Sequence, residues 1–355
     1  FLLALLPLMA SAYDAEVDGI YYKLNAETNE AEVASGDAKY TGSVVIPETF
    51  TYGSITYSVT SIGYYAFNKC ESLTSITIPK SVKTIGNSAF SDCYSLKYVN
   101  ITDLAAWCRI NFTEMTSNPL YYAHNLYFNG SEIKDMVIPG SVTSIGAYAF
   151  YGFSGLTSVT IPNSVTSIGR DAFSSCSKLT SVHITDLAAW CRINFITTSS
   201  QYRYSSNPLD NAQHLYMNGA EITDLVIPNG VTSIGCGAFS NCTGLKSVTI
   251  PSSVTTIERG SFCSCSNLES VTIPNSVTSI EDGAFEYCSG VVTINMGNSV
   301  TTIGNNAFAY CSNLVSVNIP NSVTSIGYNA FNSCSSLVSV TVPDNVQSIG
   351  GSAFS

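Results

Sequence analysis

The chain of 355 residues is 45% hydrophobic but only 11% charged, and its 14 Lys and Arg against 25 Asp and Glu leave a net charge of −11. No Lys/Arg cluster supplies the basic stripe that displaces counterions from a phosphate backbone, so nucleic-acid partners are excluded. No stretch reaches the ~18–20 apolar residues of a membrane-spanning helix, so no transmembrane segment is expected.

Residues 1–12, FLLALLPLMASA, form a short apolar run that ends in Ala10-Ser11-Ala12. Its length and A-x-A end read as the h- and c-regions of a truncated secretory signal peptide, without the initiating Met and basic n-region. The expectation is a secreted or cell-surface protein. Residues 13–72 read as an N-terminal cap and first irregular coil. Between Tyr13 and Thr60, eight acids stand against two lysines, and strand-rich pieces such as V-D-G-I-Y-Y-K-L (17–24) precede the first regular unit. A repeat array needs a polar piece of this kind over its open end.

Residues 73–355 keep a beat. Phe239, Phe262, Phe285, Phe308, Phe331 and Phe354 recur at one constant spacing, a period of 23, and Cys242, Cys265, Cys288, Cys311 and Cys334 stand three positions after the first five. Phe67/Cys70, Phe90/Cys93 and Phe173/Cys176 repeat the pairing, while Phe150 has Phe153 in the cysteine slot. A fixed period in the twenties predicts a solenoid, because a unit this small cannot bury its apolar face alone. One unit runs from Leu314 to Ser336. Its L-x-x-V-x-I opening is the strand signature of a leucine-rich repeat, with Val317 and Ile319 inside and Ser316 and Asn318 outside. Pro320 ends the strand, Val323 and Ile326 supply further buried positions, Gly327 allows a second bend, and Ala330-Phe331 to Cys334 reads as a short helical turn.

Units begin at Leu73, Leu96, Ile133, Leu156, Leu179, Ile222, Leu245, Leu268, Val291, Leu314 and Leu337. The long ones, 96–132 and 179–221, share an insert in which Thr102–Phe112 recurs letter for letter as Thr185–Phe195. Asp before Leu-Ala-Ala-Trp predicts a capped short helix, and a later Asn-Gly predicts a hairpin. Ser355 stops inside a repeat, so the C-terminal end is expected to be truncated.

Eight of the twelve cysteines occupy the slot beside the phenylalanine. Stacked coils hold such side chains with parallel Cα–Cβ vectors, which keeps Cβ atoms farther apart than a disulfide prefers. A ladder of buried thiols is favoured, with some pairing left open by export. No C-x-x-C pair and only three histidines, His124, His183 and His214, argue against zinc. The two copies of the insert exchange the histidine position, so neither histidine reads as a general base. Paired carboxylates, G-x-S-x-G and a phosphate-binding glycine loop are missing from the sequence. No catalytic residue, metal site or cofactor is expected, and the chain reads as something other than an enzyme.

The surface remains. The outward strand positions form two rows of mostly small polar side chains, among them Ser158, Thr160, Ser181 and His183. In curved repeats such rows line the face on which extended ligands dock, although Ser and Thr are also plain soluble strand formers. The variable parts of the inserts carry Tyr121-Tyr122 and Tyr202-Arg203-Tyr204, residue types enriched at binding hot spots. The inserts are expected at one edge, three coils apart, where one extended partner touches both.

The unit L-x-S-V-T-I-P-x-S-V-T-S-I-G-x-x-A-F-x-x-C closely resembles the BspA-like, Treponema-type leucine-rich repeats, over Thr41 to Phe354. The resemblance implies a right-handed leucine-rich-repeat coil with parallel strands and an exported bacterial surface protein. It implies adhesion to a protein or glycan of host matrix or neighbouring cells. It carries over no ligand, because the matching residues are core positions. Ser276 and Ser322 stand where commoner leucine-rich repeats have an Asn ladder, so loop hydrogen bonding is expected to differ. The reading from another class is a passive spacer that displays or anchors a missing C-terminal region.

Overall fold

The computed structural model describes residues 12–195 and 206–355, so all of the leader-like run but Ala12 lies outside it. The chain divides into two compact units, Phe1–Glu132 and Ile133–Ser355. Both are built from parallel strands stacked coil on coil, with little helix. The period read from the sequence recurs in the bonds between coils, as from Thr301 to Thr278.

In the second unit the strands Asp224–Val226, Ser247–Thr249, Ser270–Thr272, Thr293–Asn295 and Ser316–Asn318 form one parallel sheet. Ser247 faces Ser270 and Thr272 faces Asn295, so equivalent residues are neighbours. Two-residue strands from Ser233–Ile234 to Ser348–Ile349 form a second sheet with the same offset. Between these sheets a proline carbonyl accepts the Val N–H three residues on, as from Val323 to Pro320 at 3.0 Å, with Gly297 in the proline's place for Val300. The chain thus turns where proline cannot donate. Ser164 and Ser322 hydroxyls donate to Val142 and Val300 of the preceding coil, whereas the buried Ser276 hydroxyl has no partner among the described residues.

The segment expected as a helical turn is a run of tight turns instead. Ala284, Glu286 and Cys288 donate within the coil to Glu281, Gly283 and Phe285, while Gly283, Phe285 and Tyr287 donate to Asn305, Ala307 and Ala309 of the next coil. Left-handed backbone four residues apart produces the alternation, at Gly283 (φ 61) and Tyr287 (φ 60) and again at Asn306 and Tyr310. A helix would satisfy each donor within its own coil; here every second donor reaches the neighbour, which adds a third stacked face.

That stacking fills the core. The rings from Phe239 to Phe354 lie 5.2–5.4 Å apart and within 11° of parallel. Phe239, Phe262, Phe285 and Phe308 are fully buried. All twelve cysteines are free thiols, and eleven are buried. The ladder thiols donate to the preceding coil's phenylalanine carbonyl, Cys288 to Phe262 at 3.1 Å and Cys265 to Phe239 at 3.2 Å. Burial raises their pKa well above the ordinary thiol value. In the last coil the core-equivalent Val340 and Val346 are half-buried and Ile349 is exposed.

In the first unit, strands Ala15–Val17, Ile20–Asn25 and Glu30–Val33 form an antiparallel meander. Its last strand pairs in parallel with Ile55–Ile62, which pairs with Thr84–Ile85. Hairpin therefore becomes solenoid through one strand. A second sheet joins Gly42–Val45, Leu73–Ile78, Tyr98–Ile101, Leu126–Phe128 and Ser131–Glu132. Phe67 stacks on Phe90 at 4.9 Å and 3°.

The bend glycine is set by this close approach. A Cβ on Gly327 would lie 2.5 Å from the Asn305 nitrogen and the Gly304 carbonyl carbon. Glu258 and Glu281 occupy the same slot in two coils, and there the bond to the coil below lengthens. Gly304 and Gly327 donate at 2.8 Å, Glu281 at 3.0 Å and Glu258 at 3.3 Å. Gly327→Ala should therefore lower stability by about 1–3 kcal/mol. Gly140→Ala, whose Cβ meets nothing within 4 Å, should change it by less than about 1 kcal/mol. Urea melts of the two variants check the difference.

For the thiols, the expected result is that Cys242, Cys265, Cys288 and Cys311 resist alkylation in the folded protein and react on denaturation without reductant. Cys236, half-buried, should react first. Intact-mass evidence of two or more disulfides in the ladder would overturn this account.

Glu286 breaks the apolar pattern. It is 6% exposed, and its Oε2 has no hydrogen-bond partner among the described residues. Burial pushes its carboxyl up to about 7. Between the unfolded value near 4.5 and about 7 the folded state holds a proton that the unfolded state releases, so stability falls as pH rises through that window. Glu286→Gln should remove that part of the pH dependence and stabilise the protein at pH 8 by on the order of 2 kcal/mol. Thermal melts from pH 4 to 8 test it, and a wild-type slope retained in the variant would sink it.

Candidate functional site

In the second unit, strands Asp135–Val137, Ser158–Ile161, Ser181–Ile184 and Leu215–Met217 run parallel, and Ala220–Glu221 closes the sheet antiparallel. Register places Asp135, Ser158 and Ser181 side by side in one row. Val137, Thr160, His183 and Tyr216 form the next. Strand alternation turns Met136, Val159, Val182 and Leu215 into the core beneath, which leaves these rows facing outward.

The insert delivers Tyr216 to this face. Asp186 caps the helix Leu187–Trp190 by accepting the Ala189 N–H at 2.7 Å, as Asp103 does for Leu104–Arg109 through the Ala106 N–H. Trp190 is buried and donates through Nε1 to Ala238 O at 2.9 Å, which ties the insert to the following coil. Buried Asn207 accepts the Leu209 N–H and starts the helix Leu209–Ala212. Gln213, at φ 63, ends it, so Leu215–Met217 enters the sheet beside Ser181–Ile184. Asn218 and Gly219, both at positive φ, make the hairpin. His124 ends the first insert's helix at φ 61. The exchanged His124/Gln213 slot is thus a left-handed helix end in both inserts.

The side chains on this face are organised. Thr157 Oγ1 and Ser158 Oγ donate to Asp135 Oδ1 at 2.9 and 2.6 Å. Those hydrogen bonds, Ser158 foremost, hold its carboxyl below the usual carboxylate range, with His183 adding to the effect. His183 stacks on Tyr216 at 4.9 Å and 25°. His214 Nδ1 lies 2.7 Å from Glu221 Oε1 across the hairpin. His183 and His214 each have a defined partner. The face offers a flat aromatic pair, a held carboxylate and flanking hydroxyls, a set suited to hydrogen bonding and stacking. Among the described residues no group of three His, Cys, Asp or Glu could hold a metal ion.

Four of the expected binding residues, Ser158, Thr160, Ser181 and His183, therefore lie on adjacent strands. Tyr121 and Tyr122 lie in the first unit on the helix Leu120–Ala123, half-buried. The Tyr122 hydroxyl accepts the Asp92 N–H at 2.9 Å, and Glu114 Oε1 accepts the Ser88 N–H at 2.7 Å. These side chains stand in for carbonyls that a regular coil would offer. Tyr202, Arg203 and Tyr204 lie outside the described residues. In the first unit's sheet Tyr127 stands beside Asn100 and packs on Tyr98 at 5.0 Å, so each return strand adds a tyrosine to its own sheet. Ser75, which strand alternation places on the outward side, is nevertheless buried and bonds Ser43 at 2.8 Å. Sequence reasoning missed Tyr216 and the His214–Glu221 pair. The signal was the alternation in Leu-Tyr-x before Asn-Gly, which makes Leu215 inward and Tyr216 outward.

A family model described as BspA type leucine-rich repeat region (6 copies) matches residues 48–118, 121–200 and 212–337. A leucine-rich repeat protein of Bacteroides ovatus is similar in structure, with 27% identity over 96% of this chain and 92% of that one and a TM-score of 0.54. A leucine-rich cell surface protein of Faecalibacterium prausnitzii matches at 24% identity, 96% and 95% coverage, and a TM-score of 0.53. A leucine-rich repeat protein of Eubacterium ventriosum matches at 23%, 94% and 92%, and 0.51. Among curated proteins no sequence matches.

Proposed function

The chain belongs to the BspA-type leucine-rich repeat family, and from that premise we propose that it is an exported, surface-presented adhesion module whose strand face holds a protein or glycan. Repeat scaffolds of this family generally act through surfaces, without catalysis, and are typically secreted or displayed at the cell surface. The leader-like residues 1–12 support export, and among the described residues no helix is long and apolar enough to cross a membrane.

The observation that carries the reading is the row Thr160–His183–Tyr216 beside Asp135, Ser158 and Ser181. An aromatic stack next to a carboxylate and hydroxyls grips a sugar ring or a peptide side chain and costs little ordering, because rigid strands hold every member. Within the first unit, Tyr121 extends the proposal as a further contact; Tyr122 already serves the Asp92 N–H. One observation favours the passive-spacer reading for part of the chain. The outward rows Ser247, Ser270, Thr293, Ser316 and Thr249, Thr272, Asn295, Asn318 are uniformly small, with no aromatic or paired charge.

The test is binding of the protein to an array of matrix proteins and glycans, compared with His183→Ala/Tyr216→Ala and the control Ser270→Ala/Thr272→Ala. A confirmed ligand should lose about 2 kcal/mol or more with the first variant and little with the control, at unchanged melting temperature. Equal binding by wild type and the first variant would remove this face from the reading. A broad array on which nothing binds would make the spacer the better account.

A further inference from the structure

The row that ends in Tyr216 has a counterpart in the first unit. There the register sets Val45, Thr77, Asn100, Tyr127 and Glu132 side by side across one sheet. The second unit sets Val137, Thr160, His183, Tyr216 and Glu221 in the same order. Valine, threonine, a planar polar group, tyrosine and glutamate thus follow one another in both sheets. The sequence intervals between matching members differ along the row, so strand register brings the two copies into the same order, and no single repeat interval does.

Each row carries a platform of two flat groups. Tyr98 packs on Tyr127 at 5.0 Å and 50°, and His183 stacks on Tyr216 at 4.9 Å and 25°. The hairpin fixes the amide of the first row, because Gly130 N–H donates to Asn100 Oδ1 at 3.2 Å. Both rows are open to a ligand: Tyr98 is 40% exposed, Val45 61% and Val137 65%. From valine to tyrosine is three strand spacings, about 14 Å. Neither row contains lysine or arginine, so a sulfate or carboxylate group finds no ion-pair partner within it. A third sheet opens on the same exposed valine, Val226 at 62%, but continues through Thr249, Thr272, Asn295 and Asn318 without a ring.

We propose that each of the two tyrosine-bearing rows binds a short neutral oligosaccharide, with one hexose on the platform and the chain running across the strands toward the valine. The inference rests on the strand-face reading, narrows it to a glycan and adds a site on the first unit. A pyranose ring has an apolar C–H face and a rim of hydroxyls. It therefore matches a flat ring flanked by a hydroxyl, an amide or imidazole, and a carboxylate acceptor. Carboxylates at the row ends, on a chain of net charge −11, disfavour sulfated or uronic chains. Repetition points the same way. A polymer of one sugar offers the same group to both rows, whereas a folded protein partner presents a given epitope once.

The experiment is calorimetric titration of the full chain with cellotriose, maltotriose, triacetylchitotriose and galactotriose, and with trigalacturonate as the charged comparator. At least one neutral trisaccharide should bind with one equivalent for each row, and trigalacturonate should not bind. Tyr127→Leu and Tyr216→Leu keep apolar bulk and lose the flat ring. Each should weaken its own row roughly tenfold or more and so halve the stoichiometry, while the double variant loses binding. Thr77→Val reads the first row if Tyr127→Leu melts early. Thr249→Ala/Thr272→Ala, in the ringless sheet, should bind like wild type. Stoichiometry unchanged by Tyr127→Leu and Thr77→Val overturns the site on the first unit, even where Tyr216→Leu removes binding and the strand-face reading stands. The glycan assignment is overturned if no neutral trisaccharide binds, or if trigalacturonate binds as tightly. A matrix protein lost on His183→Ala/Tyr216→Ala then still keeps the strand face, and without one both readings end.

Discussion

A peptide coil as short as one of these repeats has more N–H and C=O groups than it can pair with itself, and each that is buried has to find a partner. In the second unit the groups that a coil does not pair within itself find their partners on the coils before and after it. Thr301 donates to Thr278 and Gly304 to Ile280, both toward the coil before. Phe285 donates to Ala307, toward the coil after. Much of the unusual chemistry of the repeat follows from that exchange. The bend favours glycine because a Cβ there presses on the coil before, and the bonds at Glu258 and Glu281 lengthen accordingly. The turn face needs left-handed residues because a continuous helix would turn every donor inward. Phenylalanines meet face to face because the same spacing brings their rings to about one stacking distance.

The inserts show how firmly the exchange binds the sequence. Where Thr102–Phe112 replaces a regular turn, the donors at Ser88, Phe90 and Asp92 still have to be met. Glu114 Oε1, the Thr116 carbonyl and the Tyr122 hydroxyl meet them. A carboxylate and a phenol thus do the work of two carbonyls. The tyrosine that looked like a loose tip is part of the hydrogen-bond ladder.

Much of this was legible in the residues. The spacing of Phe and Cys gave the period, and alternation in L-x-x-V-x-I gave the core. Asp before Leu-Ala-Ala-Trp and the later Asn-Gly gave the helix and hairpin of the insert. What stayed hidden depends on neighbours far apart in sequence. His183 finds Tyr216 across an interval that matches no repeat. His214 meets Glu221 only because a two-residue turn folds one onto the other. Glu258, Glu281 and Glu286 look like ordinary surface acids in sequence. Two of them sit in a glycine slot, and the third is buried beside the phenylalanine column.

The direction of the coil-to-coil bonds has a consequence for how such a chain can change through time. On the turn face each coil gives protons forward, and at the bend it gives them backward, so its leading and trailing sides are unlike but complementary. A coil fits any other coil and never its own mirror image. Genetic gain or loss of a whole unit leaves every donor facing an acceptor. A change of a few residues within a unit displaces each later side chain from its column. Repeat number is therefore the quantity that can drift freely in this fold, while the length of a single repeat is held fixed. The first insert is tolerated because Glu114 and Tyr122 repair the ladder it interrupts.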